Sequence, residues 1–205
     1  MNNIKIFEED LPQDIDLSNE KVIGIDNEAL GLVLGRDPLT LVQLGLESKK
    51  FYLIKLNRET YKAPNLVKVL SNPSTEFVMH YARQDLMWLK YHLKVEPKNI
   101  FCTKLASKIA RTASNTHGYK DLVKELCGKD ISKKEQQSDW GNPNLSQKQI
   151  SYAAQDTEYL FEIKDKLVKM LIREKRMDLF NRCINFLDTR IELDQNGFKF
   201  DIFEH

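Results

Sequence analysis

Two patterns in this chain of 205 residues predict an α/β fold built on a mixed five-stranded sheet. Three apolar runs, KVIGID at 21–26, LTLVQLGL at 39–46 and FYLIKL at 51–56, follow one another with turn-like connections, which reads as an antiparallel three-strand meander. Two further runs, EFVMH at 76–80 and NIFCT at 99–103, each lead into helical periodicity. That strand-to-helix alternation adds parallel strands to the meander and puts helices on its faces.

The helices follow from spacing and punctuation. A short helical stretch is expected around 65–71, and Leu86, Leu89 and Leu93 recur at helical spacing with Asp85 near the start of their helix. An amphipathic piece runs through Ile109, and a helix at 119–127 is closed by Gly128. Ser146 and Gln149 form a capping box ahead of one long helix with Ile150, Ala153, Leu160, Ile163, Leu167 and Leu171 on its apolar face. After residue 174 a second amphipathic helix carries Phe180, Ile184 and Leu187. It ends in the apolar tail Gly197-Phe198-Lys199-Phe200-Asp201-Ile202-Phe203, which covers either its own domain or a neighbouring subunit. The expected division is therefore one domain over 1–174 and a helix with a tail over 175–205.

Composition narrows the function. Charged residues make up 30% of the chain yet cancel to a formal +1, so no global positive field marks a partner for long nucleic acid, and any strand is gripped locally. The start, MNNIKIFEEDLPQD, lacks the basic and apolar regions of a signal peptide, and no apolar run reaches membrane-spanning length. A cytoplasmic protein without membrane contact is expected. Cys102, Cys127 and Cys183 are odd in number and far apart, which fits neither a disulfide framework nor a zinc site.

Chemistry is carried by acids in three segments: Asp26 and Glu28 in IGIDNEALGL, Asp85 in MHYARQDLMWL, and Tyr152 with Asp156 in YAAQDTEYL. Side chains two apart on a strand share a face, so Asp26 and Glu28 can enter one pocket while Asn27 points away. Tyr152 and Asp156, four apart on the capped helix, also share a face. Each element alone is ordinary: Asp-x-Glu arises by chance, Asp85 suits any first helical turn, and an isolated Tyr-x-x-x-Asp is a core tyrosine beside a surface acid. The pair at 26 and 28 differs in closing a buried-looking strand, where two unpaired acids are costly without a cation.

In their order, DNE, HYARQDL and SDWGNPNLSQKQISYAAQDTEYL resemble the three motifs of the ribonuclease D branch of the DEDD 3′-to-5′ exonucleases, in the subclass whose third motif carries tyrosine. The match covers about residues 20–172. CTKLASKIART, HGYKDLVKELCG, DISKKEQQSDWG and the terminal DIFEH further resemble the short nanoRNase C family. Asn27 stands where that family usually has threonine, and Phe198 where it commonly has tryptophan.

The resemblance implies a ribonuclease H-like exonuclease fold over 1–174 and two divalent cations, Mg2+ or Mn2+, as cofactors. Asp26, Glu28 and Asp156 would hold one ion, with Asp26 bridging to a second held by Asp85. Oxygen ligands and a phosphate substrate favour these hard ions over zinc. Tyr152, with an ordinary pKa of about 10, is better suited to orienting the attacking water than to deprotonating it. The implied substrate is very short single-stranded RNA, dinucleotides above all, cleaved to nucleoside 5′-monophosphates. Trimming of longer RNA ends, action on DNA, or a catalytically inactive nucleic-acid-binding module are the rival readings. The family's ring of eight subunits would give the tail a destination.

Five further residues are candidate substrate contacts, each with a plainer alternative. Leu32 is either an apolar wedge against the terminal base or a core leucine. His80, Arg83 and Gln84 flank Asp85 and could touch phosphate or ribose, although a histidine ending an apolar strand also serves structure alone. Trp140 either shapes the substrate pocket or anchors its loop to the core. Lys104, Lys108 and Arg111 recur on one helical face and are expected to be solvated.

Overall fold

A computed structural model describes residues 3–198 and 200–204. Its sheet contains β1 (Ile4–Glu8), β2 (Val22–Ala29), β3 (Leu39–Leu46), β4 (Phe51–Lys55), β5 (Glu76–Met79) and β6 (Ile100–Cys102), in the order β1-β4-β3-β2-β5-β6. The meander β2-β3-β4 is antiparallel, and β5 and β6 extend it in parallel beyond β2. The expected five strands are joined by a sixth, β1, which pairs in parallel with β4 at the sheet's edge. Its sequence, IKIFE, is mostly exposed and carries charge, so hydrophobic patterning gave it no weight.

Among the described residues, eight α-helices surround this sheet: α1 (Pro64–Leu70), α2 (Ala82–Leu93), α3 (Thr103–Ala110), α4 (Tyr119–Leu122), α5 (Gln147–Glu158), α6 (Leu160–Arg173), α7 (Met177–Asn185) and α8 (Leu187–Gln195), with a π turn at Val123–Cys127. Gly128 ends that turn in the left-handed region at φ 66°, as its position predicts. The Ser146 capping box forms completely: the Ser146 hydroxyl accepts from the Gln149 amide, and the Gln149 side chain accepts from the Ser146 amide.

The single long helix expected beyond Ser146 is instead two, broken at Tyr159. The cause is an inserted side chain. The Tyr119 hydroxyl donates to the Gln155 carbonyl at 2.9 Å and accepts from the Tyr159 amide at 3.1 Å, replacing a rung of the helical ladder. Tyr119 lies forty residues away from Tyr159, so local periodicity carries no trace of it. The helix expected after residue 174 is likewise divided, at Phe186, and Leu187 opens α8 rather than closing α7.

Alternation along β2 sorts its side chains between two layers. Ile23 and Ile25 join the large core formed with α1 and α2, including Leu66, Leu70, Leu86 and Leu89. Gly24 faces the opposite layer: a methyl group there would meet the Leu160 side chain and the Thr157 carbonyl. Gly24 and Gly45 are register partners on β2 and β3, and a Cβ on Gly45 would lie 2.5 Å from Thr157 Oγ1. This glycine pair lets the α5–α6 junction rest directly on the sheet, and it sets the height at which α5 crosses it. Replacing Gly45 by alanine is therefore expected to cost about 1–3 kcal/mol through overpacking, read as an earlier midpoint in urea unfolding. An unchanged midpoint would show that α5 does not depend on this approach.

Candidate active site

Asp26 and Glu28 occupy the carboxyl-terminal part of β2, on the face covered by α5. β5 runs parallel to β2 and is followed by α2, so Asp85 in the first turn of α2 arrives at the same end of the sheet. Asp156 descends from the last turns of α5. The result is that ligand oxygens of Asp26, Glu28 and Asp156 lie within 4.8 Å of one another. Asp85 is buried beside them, and its charge acts on both Asp26 and Glu28. All four expected acids thus converge.

Electrostatics show what this convergence costs. Burial, followed by the charges of Asp85, Asp156 and Glu28, holds Asp26 well above the usual carboxylate range. Burial and the neighbouring acids push Glu28 up to about 9. Burial raises Asp156 to about 7 although Lys133 opposes it, and burial raises Asp85 as well. Asp85 Oδ2 is buried with no hydrogen-bond partner. A hard divalent cation fits this donor set: it supplies the charge the carboxylates lack and a partner for the unmatched oxygen.

The first turn of α2 is held from β2. Asn27, which points away from the acids as alternation requires, donates from Nδ2 to the Asp85 carbonyl at 3.1 Å. The residue in the position where threonine is usual therefore reaches the backbone of the neighbouring acid. Tyr81, ahead of that turn, adopts φ 72° and offers no side-chain cap, so the Asn27 amide is a side-chain contact that ties the turn carrying Asp85 to β2.

Tyr152 is buried on α5, one turn before Asp156, with its ring 6.0 Å from that of Trp140. Burial and the charges of Asp156, Glu28 and Asp26 all raise its pKa. The phenol is thereby kept protonated, a hydrogen-bond donor and not a base.

The remaining expected contacts divide. Leu32 is 82% exposed, which removes its reading as a core leucine. Its loop is folded by Asp37, whose carboxylate accepts from the Val33 amide at 2.9 Å and pairs with Arg36. A Cβ on Gly31 would sit 2.1 Å from the Asp37 carboxylate, so any larger residue there would displace the group that folds the turn. Arg83, expected at phosphate, instead pairs with Asp194 of α8 through two contacts of 2.5 and 2.6 Å. Two positions from Asp85 on a helix, it points to the opposite side. Trp140 packs with Leu41, Leu53, Tyr152 and Ala153, and so anchors its loop beneath Tyr152.

His80 contacts Thr103 Oγ1 through Nδ1 at 2.9 Å, and Thr103 itself donates to the Met79 carbonyl, so Nδ1 carries the proton. Burial, reinforced by Lys104 and Lys133, depresses its pKa to about 3, so the ring is neutral. Gln84 Nε2 is buried without a partner. Lys104 stands 4.0 Å from the Tyr81 ring centroid, while Arg111 is tied to Ser107 and Glu125 and is not freely solvated as expected. Sequence reasoning missed Lys133, an exposed loop lysine whose charge reaches both Asp156 and His80. It lies within the DISKKEQQSDWG stretch, but that resemblance singles out a segment and no periodicity singles out this lysine.

A family model described as 3′-5′ exonuclease matches residues 6–172. The chain belongs to the 3′-5′ exonuclease family. Ribonuclease D of Xanthomonas oryzae is 32% identical over 162 residues, which cover 76% of this chain and 42% of that protein. The chain thus spans about two fifths of the length of the ribonuclease D relatives it matches. NrnC from Brucella melitensis is 39% identical with a TM-score of 0.95 over 100% of both chains. Structures of that protein with bound Mg2+ and bound to pGG, each 39% identical, give TM-scores of 0.92 and 0.93 and cover 99% of this chain and 99% and 98% of theirs. This is the ribonuclease D-like, nanoRNase C type that the motifs resemble, and the mixed sheet is the ribonuclease H-like exonuclease fold.

The raised carboxylates fix the sign of a pH effect. Each has a folded pKa above its ordinary value of 3.8 or 4.5, so its contribution to stability is full below those values. It is lost as pH rises through about 7 for Asp156 and about 9 for Glu28. Metal-free protein should therefore melt progressively earlier from pH 6 to 9, and Mn2+ should raise the melting temperature more at pH 8.5 than at pH 6. A melting temperature independent of both pH and Mn2+ would show that the acids carry no unmet charge.

Proposed function

We propose that this chain is a metal-dependent 3′-to-5′ exoribonuclease that hydrolyses very short RNA, dinucleotides first, to nucleoside 5′-monophosphates through two divalent cations. The observation that carries the reading is the meeting of three carboxylates from β2 and α5 within 4.8 Å, with Asp85 buried beside them. Bound Mg2+ or Mn2+ would supply a nucleophilic water near neutral pH and stabilise the departing 3′ oxygen. Asp26, Glu28 and Asp156 would hold one ion, and Asp85 with Asp26 the other.

The protein's own groups do the rest. Tyr152, kept protonated by burial and its acidic neighbours, orients the attacking water by hydrogen bonding. Leu32, projected from the Asp37-braced turn, meets the terminal base. Lys133 adds a local positive charge for phosphate near Asp156.

Preference for short RNA is supported by the balanced charge, since affinity for long strands comes from many phosphate contacts. It is also supported by the 39% likeness to a protein solved bound to pGG. Among the described residues no helix is long and apolar enough to cross a membrane.

Self-association is part of the same proposal. Phe200, Ile202 and Phe203 stand exposed in the tail, within a segment of which Lys199 and His205 lie outside the described residues. Light scattering at micromolar concentration should give a mass well above 23.9 kDa, and a monomer would remove this part.

A time course on 5′-labelled RNA of two, three, five and ten nucleotides tests the substrate. Turnover should be fastest on the dinucleotide, whereas flat or rising efficiency with length would favour trimming of longer ends. Under the same conditions Tyr152→Phe should lower kcat by about a hundredfold while Mn2+ affinity is retained. Unchanged turnover would remove the role given to the phenol.

A further inference from the structure

Gln43 lies in the middle of β3, in the middle of the sheet, and is 0% exposed. Neither its Oε1 nor its Nε2 has a hydrogen-bond partner. A primary amide buried without partners is destabilising, a cost that a leucine or methionine of similar volume would not incur. The cost has no structural return in the strand pairing, where the backbone of β3 already bonds both neighbours.

Position supplies the reason. Gln43 is the register partner of Asp26 on β2 and of Leu53 on β4. Residues directly opposite in an antiparallel pair send their side chains to the same face, with Cβ atoms about 4.5–5.5 Å apart. The neighbours of Gln43 on that face are Leu41, which packs against Tyr152 and Ala153, and Gly45, which Thr157 approaches. The amide therefore lies beneath the stretch of α5 that carries Asp156, with Asp26 immediately beside it. Thr157 does not satisfy it: its hydroxyl proton goes to the Ala154 carbonyl, and it makes no hydrogen bond with either atom of the amide.

From this geometry we propose that Gln43 is a positioning residue: its Nε2 donates to the Asp26 carboxylate when that group ligates a divalent cation, fixing which oxygen faces the ion. An ionised carboxylate is acceptor-only and can take both an ion and an amide hydrogen. Outer contacts of this kind orient metal ligands, and their loss commonly weakens metal binding 10–100-fold. The inference rests on the metal-site reading above and assigns a residue to it that has no acidic, basic or nucleophilic character.

The test uses Gln43→Met, which keeps length and volume without a donor, with Gln43→Leu as a second variant. Mn2+ alone is titrated into each full-length protein by calorimetry, and the metal-free melting temperature is measured alongside. The proposal expects Mn2+ affinity to fall at least tenfold in both variants while the metal-free melting temperature holds or rises. Affinity within threefold of the original in either folded variant overturns it. So does weakened binding accompanied by a lowered metal-free melting temperature, since that is the mark of a packing role. If the unaltered protein itself binds no Mn2+, the metal-site reading fails and this proposal goes with it, an outcome distinct from equal binding by parent and variant.

Discussion

Mutual repulsion among four carboxylates, buried together at one end of the sheet, is the constraint to which the surrounding architecture answers. Burial raises the pKa of each acid, and each charge makes the next harder to form. Nothing in the packing of a small α/β domain demands this. What holds the acids in place is a set of contacts made by other residues: the Gly24–Gly45 pair that admits α5, the Tyr119 hydroxyl that breaks the helix after Asp156, and the Asn27 amide on the Asp85 carbonyl. Each contact fixes one approach to the cluster, so the protein sustains the repulsion through rigidity that a cation then rewards.

The same economy appears around the site. Arg83 and Arg190 converge on Asp194, so α8 braces the outer side of α2 while Asp85 occupies the inner side. The loop after β2 is closed on its own aspartate and leaves Leu32 in solvent. Trp140 fills the space under Tyr152. A scaffold of fixed backbone thus holds these groups in place, in a chain that belongs to the 3′-5′ exonuclease family.

Much of this was legible in the order of residues, and the boundary of legibility has physical causes. The meander, both parallel strands and the capped start of α5 follow from period-two and period-3.6 patterning, which are local. Strand alternation puts Asp26 and Glu28 on one face and helical spacing does the same for Tyr152 and Asp156, while the meeting of these faces with Asp85 was implied by the resemblance of the three ordered motifs to the exonuclease family. The edge strand β1 was invisible because its partner lies more than forty residues on and its exposed face dilutes the pattern. The break at Tyr159 depends on a hydroxyl from another helix, and the fate of Arg83 depends on an acid more than a hundred residues away. Gln43 reads as a polar interruption of a strand until its register with Asp26 is known. Interactions at long sequence separation leave no local mark, and these are the features that patterning missed.

The central claim is that the distant acids form one cation site, and anomalous diffraction from crystals soaked in Mn2+ tests it most directly. The account predicts a strong peak bounded by the oxygens of Asp26, Glu28 and Asp156, and a second beside Asp26 on the side of Asp85, both absent from Asp26→Asn crystals. Manganese bound elsewhere, or no peak among these carboxylates in a soak that loads other sites, would contradict it.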